Sequence, residues 1–104
     1  MAIATLAERA AEVSAVLRML ANEKRLLILC HLAKEGEIAV TPLATLVGLS
    51  QSALSQHLAL LRAEGIVAAR RESQVLHYRI ADDKVRRLLE TLYEIYCQDL
   101  PGAG

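Results

Sequence analysis

Tryptophan and phenylalanine are absent from this 104-residue chain, and three tyrosines are its only aromatic residues. So aliphatic a composition favours packed helices over a sheet sandwich. Charge of one sign is missing too: 12 basic and 12 acidic residues give a formal net charge of zero. Nucleic-acid binders are often basic, so this balance counts against such a role unless the charges are unevenly placed. They are: acids gather at Glu8, Glu12, Glu35 and Glu37 and again at Glu90, Glu94 and Asp99, bases at Arg62, Arg70, Arg71 and Arg79. No apolar run approaches the roughly 20 residues that span a bilayer, and no basic region followed by an apolar block opens the chain. The expectation is a cytoplasmic protein with no membrane partner. The two cysteines are too few and too far apart for a zinc finger and do not form Cys-x-x-Cys; a reducing compartment would leave them without a standing disulfide. There is no glycine-rich phosphate loop, and the three histidines fall on different segments. Nucleophilic catalysis needs a base and an orienting group gathered in one pocket, so neither an enzyme nor a cofactor is expected.

What is present suits a single domain spanning residues 1–104. Hydrophobic residues make up 54% of the chain, enough for a core. Leu6, Ala10, Val13, Leu17 and Leu20 recur at helical spacing, predicting a first helix from Thr5 to Leu20. Asn22 caps a second helix to Lys34, apolar nearly all round at its centre, and Gly36 ends it. Ile38 to Val40 form a short strand. Thr41 then caps a short helix with Pro42 at its first position and Leu43, Leu46 and Val47 inward, closed by Gly48. Ser50 caps the next helix and Gly65 ends it. Two helices joined by a tight glycine-containing turn make a helix-turn-helix. Ile66–Arg71 and Val75–Ile80 are strands around a tip at Glu72-Ser73-Gln74, with Leu76, Tyr78 and Ile80 inward and His77 and Arg79 outward. Asp82 or Asp83 caps a last helix to Gln98, which carries Val85, Leu88, Leu89, Leu92, Ile95 and Tyr96 on one side; the tail from Leu100 to Gly104 is expected to fray. The fold class is mainly α with a small β-hairpin: a winged helix-turn-helix of five helices and a two-stranded wing.

The helix opened by Ser50 carries the function. Leu54, Leu58 and Leu61 form one apolar stripe, while Ser52, Ser55, Gln56 and Ala59 offer a face with no acid and nothing bulky. Glutamine pairs with adenine through two hydrogen bonds, serine bonds several base edges, and alanine lets a helix sit deep in a groove. A merely solvated face would be rich in Lys and Glu. Ser52, Ser55, Gln56 and His57 are the candidate base readers, and Gln51 is a further DNA-binding candidate. Arg62, Arg70 and Arg71 are candidates for phosphate or a narrow minor groove, although hairpin tips are also charged simply for solubility. The first and last helices exceed what a lone winged helix needs, and a two-fold homodimer would set two recognition helices on two half-sites of double-stranded operator DNA. The alternative is that they only close the monomer's own core.

The run from Asn22 to Cys30, the block from Leu49 to Leu58, the wing from Arg70 to Gln74 and the ending from Leu92 to Cys97 resemble the arsenic-repressor (ArsR/SmtB) family of bacterial regulators, most closely its HlyU, BigR and SqrR branch. The resemblance covers about Glu12 to Gln98. It implies a homodimeric winged-helix transcription factor on imperfect palindromes. In that branch a cysteine of the second helix and one near the end of the last helix sense oxidants or reactive sulfur, and Cys30 and Cys97 match those positions. The metal-sensing pattern is missing: Thr41 to Gly48 has no Cys or His, and the last helix no His.

By phase Cys30 lies on the buried side of its helix, where a lone cysteine is most often an inert small hydrophobe. Cys97 sits off the apolar stripe at a helix C-terminus, whose negative dipole end disfavours a thiolate. Spacing alone therefore reads both as structural thiols, whereas the resemblance reads them as a sensor pair, bridged directly or through extra sulfur. Metal held by Cys30, His31 and Cys97 is a minor rival, since adjacent helical residues point about 100° apart. A winged helix that binds protein rather than DNA is the rival of another class.

Overall fold

The computed structural model describes residues 3–97. In chain order they form α1 (Ile3–Glu8), α2 (Ala10–Leu20), α3 (Glu23–Glu35), β1 (Glu37–Ala39), α4 (Val40–Val47), α5 (Gln51–Ala63), β2 (Val67–Glu72), β3 (Val75–Ile80) and α6 (Asp83–Cys97). The described helices number six, not five, because the expected first helix is broken at Arg9, whose backbone (φ −108°, ψ 6°) leaves the helical basin. The reason lies in packing: α1 buries no residue, so nothing holds it in line with α2. The helix end expected at Gln98 and the tail from Leu100 to Gly104 lie outside the described residues.

α3 begins where its cap predicts. Asn22 is extended (φ −152°, ψ 123°), and its Oδ1 accepts from the Arg25 amide at 3.0 Å. Arg25 in turn donates through Nε to the Met19 carbonyl at 2.9 Å, closing the C-terminal end of α2. α4 begins earlier than expected. Ala39 supplies the extended cap residue with no side-chain bond, so β1 runs straight into α4 and Thr41 does not cap it. Pro42 falls within the first turn, where amides lack intrahelical partners, and costs the helix nothing. α4 buries Leu43, Ala44 and Val47, while Leu46 is half exposed rather than inward.

Gly48 ends α4 in the left-handed region (φ 69°) and lets the chain turn into α5. Lys24 Nζ donates to the Val47 carbonyl at 2.8 Å and lies 3.7 Å from where a Gly48 Cβ would stand. The helix-turn-helix joint is thus held from α3 as well as by its own turn.

The three strands form one antiparallel sheet in the order β1-β3-β2. Tyr78 pairs with Ile38 on one side and Ala69 on the other. The sheet therefore has three strands rather than the two of the wing alone, the expected short strand lying at Glu37–Ala39. Ile38, Val67, Tyr78 and Ile80 are buried on one face, as the alternation predicts. They pack with Ile28, Leu29 and Leu32 of α3, with Leu54, Leu58 and Leu61 of α5, and with Val85 and Leu89 of α6 in one cluster. Asp82 caps α6, its Oδ1 accepting from the Lys84 amide at 2.9 Å. Beyond Leu92 this helix leaves the core, with Tyr93, Ile95 and Tyr96 exposed. No helix among the described residues is long and apolar enough to cross a membrane.

Candidate nucleic-acid interface and paired thiols

α5 presents its faces as the sequence divides them. The Ser50 Oγ accepts from the Ala53 amide at 3.1 Å and starts the helix. Leu54, Leu58 and Leu61 are buried. Gln51, Ser52, Ser55, Gln56 and Ala59 are exposed along the other face. Gln51 is tied down: its Nε2 donates to the Thr41 Oγ1 at 2.9 Å, linking the start of α5 to α4. His57 departs from the open row. It is half-buried, and its Nδ1 is enclosed with no hydrogen-bond partner. Helical phase explains this, since residue 57 lies one turn from both Leu54 and Leu61 and so borders the apolar stripe.

Arg62 is exposed in the last turn of α5. The wing arginines fall on opposite sheet faces, as neighbours in a strand must. Arg71 pairs with Leu76 and Arg70 with His77. Arg71 is exposed and, among the described residues, enters no ion pair. Arg70 is fully engaged: its Nη2 lies 2.7 Å from Glu37 Oε1, its Nε 3.0 Å from the same oxygen, and its Nη1 2.6 Å from Glu72 Oε2. This guanidinium holds both carboxyls below the ordinary range, chiefly through these hydrogen bonds. Nothing in the linear order of residues marks Glu37 and Glu72 as part of this site. Only the strand register brings β1 within reach of β2.

Cys30 is exposed in the single chain, which corrects its expected burial. α3 buries Ile28, Leu29 and Leu32, and Cys30 falls with Leu27 and Lys34 on the stripe between them and solvent. Its thiol lines a groove of about 460 Å³ between α3 and α6, with His31 and Lys34 on one wall and Leu89, Glu90, Tyr93 and Glu94 on the other. Cys97, half-buried, is the last residue of α6. Partial burial pushes the Cys30 thiol up, and the negative charge of a Cys97 thiolate pushes it further. Cys30 stands on α3 and Cys97 on α6, the two helices that pack on each other here. Among the described residues no group of three or more His, Cys, Asp or Glu could hold a metal ion, so His31 and the two cysteines are not gathered as a ligand set.

A helix-turn-helix followed by a hairpin closing a small antiparallel sheet is a winged-helix protein. The family model described as "Bacterial regulatory protein, arsR family" matches residues 22–69. The transcriptional activator HlyU of Vibrio cholerae is 43% identical over 91 residues, which is 88% of this chain and 83% of HlyU. The crystal structure of the transcriptional repressor BigR from Xylella fastidiosa matches with a TM-score of 0.88 at 37% identity, covering 95% of this chain and all of that one (100%). The solution structure of a homodimeric winged helix-turn-helix DNA-binding domain from Mycobacterium bovis matches with a TM-score of 0.76 at 39% identity, covering 86% and 82% of the two chains. The chain belongs to the arsR family of bacterial regulatory proteins, and it is a regulator rather than an enzyme.

Proposed function

We propose that this protein is a homodimeric, cytoplasmic, DNA-binding repressor of transcription whose operator binding is switched by persulfide or oxidant modification of Cys30 and Cys97. The DNA half of this reading is supported by the open row Gln51, Ser52, Ser55 and Gln56 on α5, with Arg62 and Arg71 exposed nearby in sequence for phosphate. The dimer half is supported by exposed Ile3, Leu6, Val13 and Leu17 on α1 and α2 and Tyr93, Ile95 and Tyr96 on α6. The Mycobacterium bovis domain, similar along most of this chain, is homodimeric.

The switch reading is supported by Cys30 lining the groove between α3 and α6 and by Cys97 standing at the end of that same α6. Two thiols and one organic persulfide give a disulfide, one hydrogen sulfide and one free thiol; the persulfide takes up two electrons and the thiols lose two protons. With a second persulfide the bridge retains an extra sulfur, and a direct bond is limited to Cα atoms within about 7 Å. Thiolates are the attacking species. A bridge would tie α6, the dimerising helix, to α3, which packs against the helix-turn-helix, and so would change the spacing of the two recognition helices.

Fluorescence anisotropy on DNA from the protein's own promoter tests this, with reduced and polysulfide-treated protein side by side. Tight binding lost on treatment in the parent but retained in the Cys30→Ser and Cys97→Ser proteins is the expected result. Equal binding in both states would make the thiols structural. Absence of binding in either state would favour a protein-binding winged helix.

A further inference from the structure

Arg70 invites the reading of a phosphate anchor, being an arginine near a wing tip, but its surroundings oppose it. The side chain leaves β2, crosses over β3 and reaches Glu37 on the far strand β1, 33 residues away in sequence. Its Nε and Nη2 grip Glu37 at 2.7–3.1 Å, while Nη1 holds Glu72 at 2.6 Å at the end of β2. All three guanidinium nitrogens face carboxylates, so a phosphate approaching here meets two negative charges around one positive charge.

The two ends of this bridge differ in what they join. β1 supports β3 only from Arg79 to His77, so the hairpin beyond His77 is a two-stranded ribbon without a third strand. β1 also runs without a break into α4, the first helix of the helix-turn-helix. Glu72 therefore belongs to the free end of the wing, and Glu37 to the segment that leads into the DNA-reading unit. We propose that Arg70 is a positioning residue: by joining Glu37 to Glu72 it fixes the angle of the wing relative to the helix-turn-helix, and it does not itself bind phosphate. The consequence for DNA rests on reading the hairpin as a wing that contacts DNA; the latch itself does not. A single exposed ion pair contributes little, but a forked arginine shared by two carboxylates fixes geometry as well as charge.

Four variants decide it: Arg70→Lys, Arg70→Gln, Glu37→Gln and Arg71→Gln. Amide hydrogen exchange is measured on the free proteins, and affinity for promoter DNA is measured across a salt series. A latch predicts that both Arg70 variants and Glu37→Gln exchange about two- to fivefold faster in residues 70–76. It also predicts that all three weaken DNA binding by a similar factor without changing the salt slope. Arg71→Gln should instead leave exchange unchanged and lower the slope by about 0.9 if its charge sits on a phosphate. The proposal is overturned if Arg70→Gln lowers the slope by about 0.9 while Arg70→Lys binds like the parent. Tighter DNA binding by Glu37→Gln overturns it as well, because the carboxylate would then be competing with phosphate. Should the parent not bind DNA, the reading of the hairpin as a DNA-contacting wing fails, and the exchange data still decide the latch: unchanged exchange in the Arg70 and Glu37 variants refutes it.

Discussion

Gln56 is the exposed side chain of α5 best suited to reading one base, since its amide both donates and accepts and can pair with adenine through two bonds. Replacing it by alanine should reduce discrimination between operator and random DNA by about 1–3 kcal/mol. An equal loss on both DNAs would show that Gln56 only positions the helix. The paired thiols give a second test at this scale. The rate of Cys30 alkylation by iodoacetamide should rise with pH to a midpoint above the ordinary thiol value, because burial and the Cys97 charge both disfavour its thiolate. Cys97→Ser removes the second cause and keeps the first, so the midpoint should fall back toward the ordinary value without reaching it. A midpoint that does not move would mean that the two sulfurs do not sense each other. At neutral pH the raised value leaves Cys30 as a thiol.

At the scale of elements, the helices with polar caps and regular stripes were readable from the chain. Ser50 and the Leu54–Leu58–Leu61 stripe define α5 on both counts, so Leu58→Ala should cost about 2–5 kcal/mol and Ser50→Ala about 1 kcal/mol in denaturant unfolding. Equal costs would mean that α5 is anchored by its cap as much as by its packing. Where local signals gave out, packing decided. Nothing in Glu8-Arg9-Ala10 marks a break, and only the lack of buried residues on α1 separates it from α2. Thr41 has the chemistry of a cap, yet β1 runs into α4 and frees its hydroxyl for Gln51. The α3 centre is apolar almost all round, so phase alone could not assign Cys30 to the groove rather than the core. The Arg70 bridge was illegible for another reason: its partners meet only through the register of three strands. Its pH dependence has a definite sign. Glu37 and Glu72 are held below the ordinary carboxylate range in the folded chain, so the bridge contributes fully above that range and is lost as pH falls through the lowered values. Amides of the wing tip should therefore lose protection at acid pH before those of the core, and Glu37→Gln should remove most of that difference. Loss of protection in tip and core at the same pH would detach the bridge from wing order.

For the whole molecule, zero net charge and an apolar surplus at the ends of the chain make one argument. A neutral protein has little long-range attraction for DNA, so a single recognition helix with a few arginines would bind weakly, and the array must be doubled for useful affinity. The surface for doubling is present, since α1, α2 and the end of α6 expose large apolar side chains that one chain leaves uncovered. Leu17, half exposed on α2, and Tyr96, 77% exposed on α6, lie outside the core cluster, so a charge at either should leave the chain folded. If these faces join two copies, Leu17→Glu and Tyr96→Glu should sediment as monomers with parental circular dichroism, and each should shift operator binding to much higher protein concentration. The salt slope of whatever binding remains should be about half the parental value, because each monomer keeps only its own phosphate contacts. A dimer that survives both substitutions would place the interface on other surfaces and would remove α6 from the path by which the thiols reach the DNA. A dimer lost together with the response to polysulfide would join the two halves of the function in one helix, with Tyr96 at the interface and Cys97, the next residue, at the switch.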